Sequence, residues 1–450
     1  MHAIAHKIIM SFAVPKRIKI MRKVLSRIDW EKDEIMRYQE EKLRETIQYC
    51  WKYIPFYRRK WAGFISNPNE IQTIKDLEKL PIITKNEFRD NASQFVSTEP
   101  GLKSTEGRTG GSTGRPMIFR TTHIDDETCW GQMYAGWSWA GYIVGDPFLV
   151  IGGESVGIGS GDKRSWKDFI LNRWVTSGSN ITRDRVEYLS RQPLFNKIKV
   201  IYGYPNSIRE FGEHLNSLDI KFPNLQGIIC TAEVMRPEVR DRISLLFDTK
   251  RVLDQWGLAD GGLQACEGPE QDGFNVQFHW GLLEIVDEAG KQVDKTGEVG
   301  LGLATSLTNR ATPFVRYETG DMLHWYKGEP SQLGINWPRI GGVDGRSGDV
   351  IYLPSGRSIP MPGLTLVMRW IEGLSDYQFI QVSESQVIVK LNPGKGFSMT
   401  TEELVKYLND KISTEVDWEI EFAPPLLTKN GKLLIIRNDW LRSQGLSRPQ

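Results

Sequence analysis

The spacing of apolar residues in the first third of the chain predicts helices. Apolar residues recur three and four positions apart over residues 31–64, in the run EEKLRETIQYCWKYIPFYRRKW, and predict a helix that Pro55 interrupts. A second helix is predicted over residues 71–80, IQTIKDLEKL, ending at Pro81. The run DDETCWGQMYAGWSWAGYIVGD, residues 125–146, predicts a third helix followed by a turn.

Short β-branched runs then follow one another and predict strands. They are PFLVIGG, KIKVIYGYP, LQGIICTAE and KRVLDQWG, and they alternate with SIREFGEHLNSL and PEVRDRISLLF, which have helical spacing. Alternation of strands and helices is typical of an α/β domain. We therefore expect a substantially parallel sheet here.

The pattern changes to closely spaced strands over residues 273–325, and a glycine-rich stretch follows Gly341. The remainder predicts a hairpin in DYQFIQVSESQVIVKLN, a helix in TTEELVKYLNDKI and two further strands. A chain of 450 residues exceeds the size at which a single core stops growing. We expect a large α/β domain over residues 1–344, beginning with a helical segment 1–64, and a small α+β domain over residues 345–450.

Basic and apolar residues alternate over residues 15–28, PKRIKIMRKVLSRI. This pattern predicts a basic amphipathic helix, which either packs on its own domain or lies on an anionic membrane surface. The preceding residues lack the apolar middle and the cleavage site of a signal peptide. The sequence has no run of about 20 uncharged apolar residues, so no spanning helix is expected. We expect packing on the domain, with peripheral membrane contact as the alternative.

The composition narrows the class of protein without naming a chemistry. Hydrophobic residues make up 40% and charged residues 25%, which is ordinary for a globular protein. The net charge of +1 gives no reason to expect a nucleic-acid partner. The four cysteines lie far apart without a CxxC pair, which favours a reducing, cytoplasmic location.

Candidate chemistry begins at a loop rich in glycine and hydroxyl residues. Its sequence is Thr109-Gly110-Gly111-Ser112-Thr113-Gly114-Arg115-Pro116. Three glycines let backbone N–H groups turn toward an anion, and the hydroxyls add donors, so the loop can hold phosphate. The spacing is not that of a Walker A motif. A flexible connecting loop is the alternative.

This loop resembles the phosphate-binding loop of the adenylate-forming superfamily of acyl-CoA synthetases. The segments LRETIQYCWKYIPFYRRKW and IKDLEKLPIITKNEFRDN resemble the N-terminal region of the phenylacetate–CoA ligase family. Within that family the chain most resembles a branch associated with capsular polysaccharide biosynthesis. The resemblance runs from about residue 40 to 437, with the motifs in the family's order.

The resemblance implies roles for residues around a bound nucleotide. It implies that Glu233, in Cys230-Thr231-Ala232-Glu233, lies beside adenine and that Trp256, in the run DQWGLAD, stacks on it. Asp260 falls where relatives carry the glutamate that ligates Mg2+. Asp321, in the run RYETGD, should accept hydrogen bonds from both ribose hydroxyls. The phosphates would be bound by Thr109, Gly111, Ser112, Thr113 and Gly114.

Two further motifs concern the small domain. Arg346 and Asp349, in GRSGD, correspond to a contact with the nucleotide and to the hinge about which the small domain turns. Lys432, in the run TKNGK, corresponds to the catalytic lysine that neutralises charge as the carboxylate attacks the α-phosphate. A charged turn residue or a surface ion pair is the alternative at each position, but the shared order of all the motifs favours the functional interpretation.

The resemblance implies a two-step ligase that uses ATP and Mg2+. A carboxylic acid would be joined to AMP and then transferred to CoA, an amine or a hydroxyl. In relatives, the regions around Trp137 and Tyr202 line the acid pocket, although an aromatic-rich helix is also typical of plain core. Relatives are often dimers, so a homodimer is possible.

Departures from the family pattern support one alternative. Met117 stands where many relatives have a lysine, Gly110 removes a hydroxyl donor, and Asp260 is one methylene shorter than glutamate. These changes leave open a catalytically impaired nucleotide-binding relative that serves a biosynthetic complex. A structural zinc is not expected, because Cys266 and His279 alone do not supply four ligands. A serine hydrolase is not expected either, since the sequence lacks a GxSxG elbow.

Overall fold

The computed structural model describes residues 2–108, 117–152, 164–178, 181–258, 262–346, 350–368, 370–427 and 433–443. Within these residues the helices are α1 His2–Ala13, α2 Pro15–Leu25, α3 Lys32–Tyr53, α4 Pro55–Trp61, α5 Lys85–Asp90, α6 His123–Trp139, α7 Trp166–Ile170, α8 Arg183–Ser190, α9 Pro205–Ser217, α10 Pro237–Phe247, α11 Met361–Met368, α12 Thr401–Lys411 and α13 Asp439–Ser443. No helix in these ranges is long and apolar enough to cross a membrane.

The strands in the same ranges are β1 Thr105–Arg108, β2 Ile118–Thr121, β3 Phe148–Gly152, β4 Arg173–Ser177, β5 Val200–Gly203, β6 Gly227–Thr231, β7 Val252–Leu258, β8 Leu263–Glu267, β9 Phe274–Val276, β10 Gly281–Val286, β11 Val299–Ser306, β12 Tyr317–Trp325, β13 Arg339–Arg346, β14 Val350–Tyr352, β15 Ser358–Pro360, β16 Leu374–Gln381, β17 Gln386–Pro393, β18 Asp417–Phe422 and β19 Ile436–Asn438.

The large sheet has eleven strands in the order β10-β11-β12-β13-β9-β8-β7-β6-β5-β3-β4. Strands β4, β3, β5, β6 and β7 run parallel, and the pairings from β7 to β10 are antiparallel. Strands β3, β5 and β6 are buried along their whole length, as parallel strands covered on both faces are. The predicted α/β class with a substantially parallel region is confirmed.

Alternate residues of the parallel strands point into two separate cores. Ile151 and Ile201 pack on one face against α8, α9 and α10. Val150 and Tyr202 pack on the other face against α6 and α1. This arrangement follows from the two-residue repeat of a strand.

The helical segment before the sheet has the predicted break at Pro55. Helix α3 begins with a capping box formed by Glu31 and Glu34, and Pro55 is the first residue of α4. Tyr57 on α4 donates its hydroxyl to the carbonyl of Pro313 at 3.1 Å, and the backbone N of Val315 donates to that hydroxyl at 2.8 Å. The segment is therefore anchored to the chain that leads into β12.

The predicted helix over residues 71–80 is wrong in extent, because only Lys75–Lys79 forms a short 3-10 helix. The backbone N–H groups of Gln72 and Thr73 donate to Asp76 Oδ2 at 3.0 and 2.9 Å. Such local side-chain bonds compete with the helical pattern.

The C-terminal part of the chain forms a second sheet, ordered β18-β17-β16-β19. The predicted hairpin is β16–β17, and the predicted helix is α12. The cluster of buried residues around this sheet runs from Ile351 to Ile436. We call residues 350–443 the small lobe and the preceding residues the large lobe. The predicted boundary at residues 344–345 stays a prediction, and the predicted hinge Asp349 lies outside the described residues.

A buried ion pair between α10 and β8 holds the backbone of strand β7. Arg240 on α10 donates through both Nη atoms to the carboxylate of Glu267 on β8, at 2.8 Å each. The backbone N of Asp254 on β7 donates to Glu267 Oε2 at 2.7 Å. Burial and the Glu267 charge raise the pKa of Asp254 well above its usual range. The position of β7 thus depends on the charge of Arg240.

We predict that Arg240→Gln lowers the free energy of unfolding by about 3–5 kcal/mol, because it leaves the Glu267 charge buried without its partner. Urea denaturation followed by tryptophan fluorescence measures this loss.

Arg242→Gln on the same helix is the matched control. Arg242 pairs with Glu213, and both side chains are 41% exposed. Its loss should cost at most about 1 kcal/mol. Equal losses in the two variants would contradict the supporting role of Arg240.

Candidate active site

Three of the predicted nucleotide residues come from neighbouring regions of the large sheet. Glu233 lies two residues after the carboxyl end of β6, Trp256 lies in β7, and Asp321 lies in β12. The carboxyl ends of parallel strands are where open α/β sheets bind ligands. The sheet topology therefore places Glu233 at an edge suited to binding.

Trp256 and Asp321 are joined directly. The indole Nε1 of Trp256 donates to Asp321 Oδ2 at 3.0 Å, and both side chains are buried. The sequence resemblance implied an adenine contact for one residue and a ribose contact for the other. The structure brings these two side chains within one hydrogen bond although they are 65 positions apart.

The turn before Asp321 is built from its own motif. Gly320 has φ of 76°, a conformation that favours glycine, and the backbone N of Asp321 donates to Thr319 Oγ1 at 3.0 Å. Thr319 in turn donates to the carbonyl of Gly302 on β11 at 2.8 Å. These bonds fix the backbone that carries the Asp321 carboxylate.

Arg316, the first residue of the same motif, has a structural role. Its Nε lies 3.2 Å from Glu284 Oε1, and both side chains are buried. Its Nη atoms donate to the carbonyls of Leu80 and Gly290 at 2.8 Å. Arg316 thus holds the strand of Asp321 against the chain before α5 and against the β10–β11 connection.

Glu233 contacts both lobes. It follows Ala232, whose φ of 68° is unusual for a residue with a side chain. Its Oε2 accepts from Asn206 Nδ2 at 2.8 Å, and its Oε1 accepts from the backbone N of Leu433 at 3.0 Å. Leu433 directly follows Lys432 in the sequence. The chain beside the predicted catalytic lysine is therefore bonded to a predicted nucleotide residue.

A second contact between the lobes is ionic. Asp376 on β16 is almost fully buried and accepts from two arginines of the large lobe. Arg209 Nη1 on α9 donates to Asp376 Oδ2 at 2.6 Å, and Arg236 Nη2 makes a short bond to Oδ1. Burial opposes ionisation, but the charges of Arg236 and Arg209 lower the pKa of Asp376 below its ordinary value. We call these three residues the interlobe clamp.

Sequence reasoning missed the interlobe clamp and Asn206. The carboxylate and its two arginines come from segments more than a hundred residues apart. Periodicity and motif spacing describe local chain only, and no local signal marks this partnership.

Met117 has a packing role. Its side chain is fully buried in the core that includes α3 and α4, and Tyr317 donates its hydroxyl to Met117 Sδ at 3.3 Å. The side chain that stands in place of the usual lysine therefore points into the core.

Buried glutamines lie between α6 and strands β8 and β9. Gln277 Nε2 donates to the carbonyl of Gln132 at 2.9 Å, and Gln264 Nε2 donates to Cys129 Sγ at 3.3 Å. Within the described part of the chain, both amide atoms of Gln132 and the Oε1 atoms of Gln264 and Gln277 have no hydrogen-bond partner. We call Gln132, Gln264 and Gln277 the glutamine cluster.

Two residues predicted to line the acid pocket, Trp137 and Tyr202, contact each other. Tyr202 stacks at 4.7 Å on Trp137, which donates its indole N–H to Gln255 Oε1 at 3.0 Å. Tyr202 thus packs on the same helix, α6, that carries Gln132 of the glutamine cluster.

Several predicted site residues lie outside the described residues. They are Thr109, Gly111, Ser112, Thr113, Gly114, Asp260, Asp349 and Lys432. The backbone of Arg346 is described, and its Cα pairs across from Asp321 in the β12–β13 register. Among the described residues, no group of three or more His, Cys, Asp or Glu side chains could hold a metal ion.

The chain is similar to known proteins in sequence and in fold. No protein-family model matches the chain. Phenylacetate–coenzyme A ligase of Pseudomonas putida is 25% identical over 329 residues, which cover 71% of this chain and 72% of that protein. Protein CapK of Staphylococcus aureus is 23% identical over 374 residues, which cover 80% of this chain and 79% of that protein.

A solved structure shares the fold over nearly the whole chain. The 2-hydroxyisobutyryl-CoA ligase in its postadenylation state, in complex with 2-HIB-AMP, has a TM-score of 0.73 at 19% identity, covering 93% of each chain. The same enzyme in its thioesterification state, with 2-HIB-AMP and CoA, covers 93% of each chain with a TM-score of 0.59. The small C-terminal sheet beside a large mixed sheet is thus common to both proteins.

Proposed function

Because this chain is a distant homologue of the phenylacetate–coenzyme A ligases, and an AMP-forming ligase of that type, we propose that it activates a carboxylic acid as acyl-AMP. The acyl group then passes to CoA, to an amine or to a hydroxyl. The observation that carries this proposal is the hydrogen bond from Leu433 N to Glu233 Oε1. It supports a site in which Lys432, one residue earlier, reaches the nucleotide.

In this proposal ATP binds along the carboxyl ends of the parallel strands. Its adenine lies near Glu233 and Trp256, and its ribose hydroxyls donate to Asp321. The loop over residues 109–116 holds the phosphates, with Arg346 as a further contact. Asp260 would ligate Mg2+, which would neutralise charge on the phosphates. The Trp256–Asp321 bond supports this assignment, because it holds the two side chains at one place before a ligand arrives.

The proposed reaction consists of two nucleophilic substitution steps. A carboxylate oxygen of the acid attacks the α-phosphorus of ATP, the bond to pyrophosphate breaks, and Lys432 neutralises charge on the α-phosphate. The thiol, amine or hydroxyl of the acceptor then attacks the acyl carbon and loses its proton, and AMP leaves with the bonding electrons. Rotation of the small lobe about Asp349 withdraws Lys432 between the two steps.

The described arrangement of the lobes suits the first step. The interlobe clamp and the Leu433–Glu233 bond both hold the small lobe against the large lobe. The higher TM-score with the postadenylation state than with the thioesterification state supports the same assignment. We therefore assign the clamp to the orientation that adenylates the acid.

We propose further that the acid carries a hydroxyl or an amide group. Unpaired amide atoms in a buried site cost about 1–3 kcal/mol each, and a polar substrate would satisfy them. A site built to hydrogen-bond a substrate rejects the analogue that lacks the polar group. The glutamine cluster thus favours a polar acid over a purely hydrocarbon one such as phenylacetate.

One alternative keeps the fold and loses the activity. A catalytically impaired relative would bind the nucleotide and serve a biosynthetic complex, and Gly110 and Asp260 favour it. The CapK relative supports a place in surface polysaccharide synthesis, in a cytoplasmic enzyme whose acceptor is a sugar-linked amine or hydroxyl. A homodimer stays a prediction.

We predict that purified protein with ATP and Mg2+ releases pyrophosphate when the right acid is added, and that a hydroxy acid supports faster release than its deoxy counterpart. The assay runs a panel of aryl, amino, hydroxy and uronic acids, with and without CoA.

Gln132→Leu should remove the preference for the polar acid while leaving ATP binding intact. ATP binding without release from any acid would support the impaired relative instead.

We predict that Lys432→Ala slows acyl-AMP formation by about 100-fold or more, because a positioned cation stabilises the transition state. ATP affinity, measured by calorimetry, should change little. Lys411→Ala, exposed at the end of α12, is the control and should keep full activity. Unchanged pyrophosphate release by Lys432→Ala would disprove the role of Lys432.

We predict that Asp376→Asn slows acyl-AMP formation by about tenfold, which corresponds to a shift of about 1.4 kcal/mol away from the adenylating orientation. Conversion of separately supplied acyl-AMP by CoA should not slow. Glu213→Gln, which breaks an exposed pair on the helix that carries Arg209, should leave both steps unchanged. An equal loss in both steps would show that Asp376 only stabilises the fold.

A further inference from the structure

Helix α1 is apolar on opposite sides. Met10 on α1 and Val14, which directly follows α1, are buried against the large lobe. Ile8 and Phe12 lie on the opposite side of the helix, since each residue turns it by about 100°. Phe12 is 82% exposed and Ile8 54%. A surface helix ordinarily presents polar residues on its outer face, so the outer face of α1 requires a partner.

Helix α7 lies beside α1 and carries further exposed aromatic side chains. The ring of His6 lies 5.5 Å from that of Phe169, and its Nε2 lies 3.1 Å from the Phe169 carbonyl oxygen, so α1 rests beside α7. Trp166 and Phe169 on α7 are themselves 70% and 57% exposed. We call Ile8, Phe12, Trp166 and Phe169 the aromatic patch.

Positive charge is concentrated in α2, the helix that follows α1 in the chain. Residues 1–28 contain seven lysines and arginines and no aspartate or glutamate, whereas the net charge of the whole chain is only +1. The exposed cations on α2 are Lys16, Lys19, Arg22 and Lys23. Partial burial and the charges of Arg27, Lys42 and Lys19 lower the pKa of Lys23.

The apolar side of α2 is already occupied. Val24 is buried, and Ile20 packs so closely on α6 that a Cβ atom on Gly131 would lie 2.7 Å from it. The membrane contact considered for residues 15–28 therefore has no free apolar face on α2. The apolar element is supplied by α1 and α7, and α2 supplies the charge.

We propose that the aromatic patch and the cations of α2 together dock the protein on an anionic lipid bilayer. Exposed Trp and Phe side chains enter the boundary between headgroups and acyl chains. Each lysine or arginine near the surface adds attraction to anionic lipid. A protein partner would have to match both features, whereas an anionic bilayer offers both at once. The inference does not depend on the proposed ligase activity.

The test is co-sedimentation of the full chain with vesicles of phosphatidylcholine alone or mixed with phosphatidylglycerol. The wild type should bind the mixed vesicles, bind neutral vesicles weakly, and lose affinity as salt rises. The double variant Phe12→Ser/Trp166→Ser should bind the mixed vesicles about tenfold more weakly, because it removes the inserted apolar area. The control is Trp370→Ser, since Trp370 is 75% exposed on the small lobe.

Three outcomes would overturn the proposal. They are no sedimentation of folded wild type with phosphatidylglycerol vesicles, equal losses in Trp370→Ser and the double variant, and a change from dimer to monomer in light scattering of the double variant. The last outcome would assign the aromatic patch to a second copy of the chain. An unchanged thermal midpoint in the double variant excludes misfolding as the cause of lost binding.

Discussion

The position of strand β7, near the centre of the large sheet, depends on the hydrogen bonds that the buried Glu267 carboxylate accepts. This carboxylate binds Arg240 of a covering helix through two bonds and the backbone of β7 through a third. Strand β7 is the place where the sheet changes from parallel to antiparallel pairing. Removing two charges from water is costly, and this geometry repays the cost because both carboxylate oxygens accept bonds. The β7 residue bonded to Glu267 is Asp254, and Trp256 lies two residues after it, so these bonds also position Trp256.

The candidate site is held together by hydrogen bonds between residues that are far apart in the sequence. Trp256 meets Asp321, Glu233 meets Leu433, and each contact joins segments that the sheet or the lobes bring together. The two hydrogen bonds differ in whether they lie within one lobe or join the two lobes. The first lies within the large lobe and would persist in the proposed rotation of the small lobe, whereas the second would break. A site that carried out the two proposed reactions would need both kinds of contact.

The sequence predicted the secondary structure well, but it did not predict which distant side chains contact each other. The apolar run around Val150 and the break at Pro55 follow from periodicity and backbone chemistry, and both were predicted. The motif resemblance predicted Trp256 and Asp321 as site residues but not that they bond to each other. The side chain of Asp76 overrode the helical spacing at residues 71–80. The interlobe clamp could not be predicted, because charged residues far apart in the chain carry no mark of which partner they meet.

The interlobe clamp also bears on how such enzymes can be recombined. Arg209 and Arg236 belong to one lobe and Asp376 to the other, and the carboxylate is almost fully buried where they meet. A small lobe grafted from another ligase would present its own side chain at that point. Unless it carried a carboxylate there, two guanidinium groups would face each other without a counter-ion. Exchange of the small lobe would therefore require that the carboxylate and the two guanidinium groups be kept together.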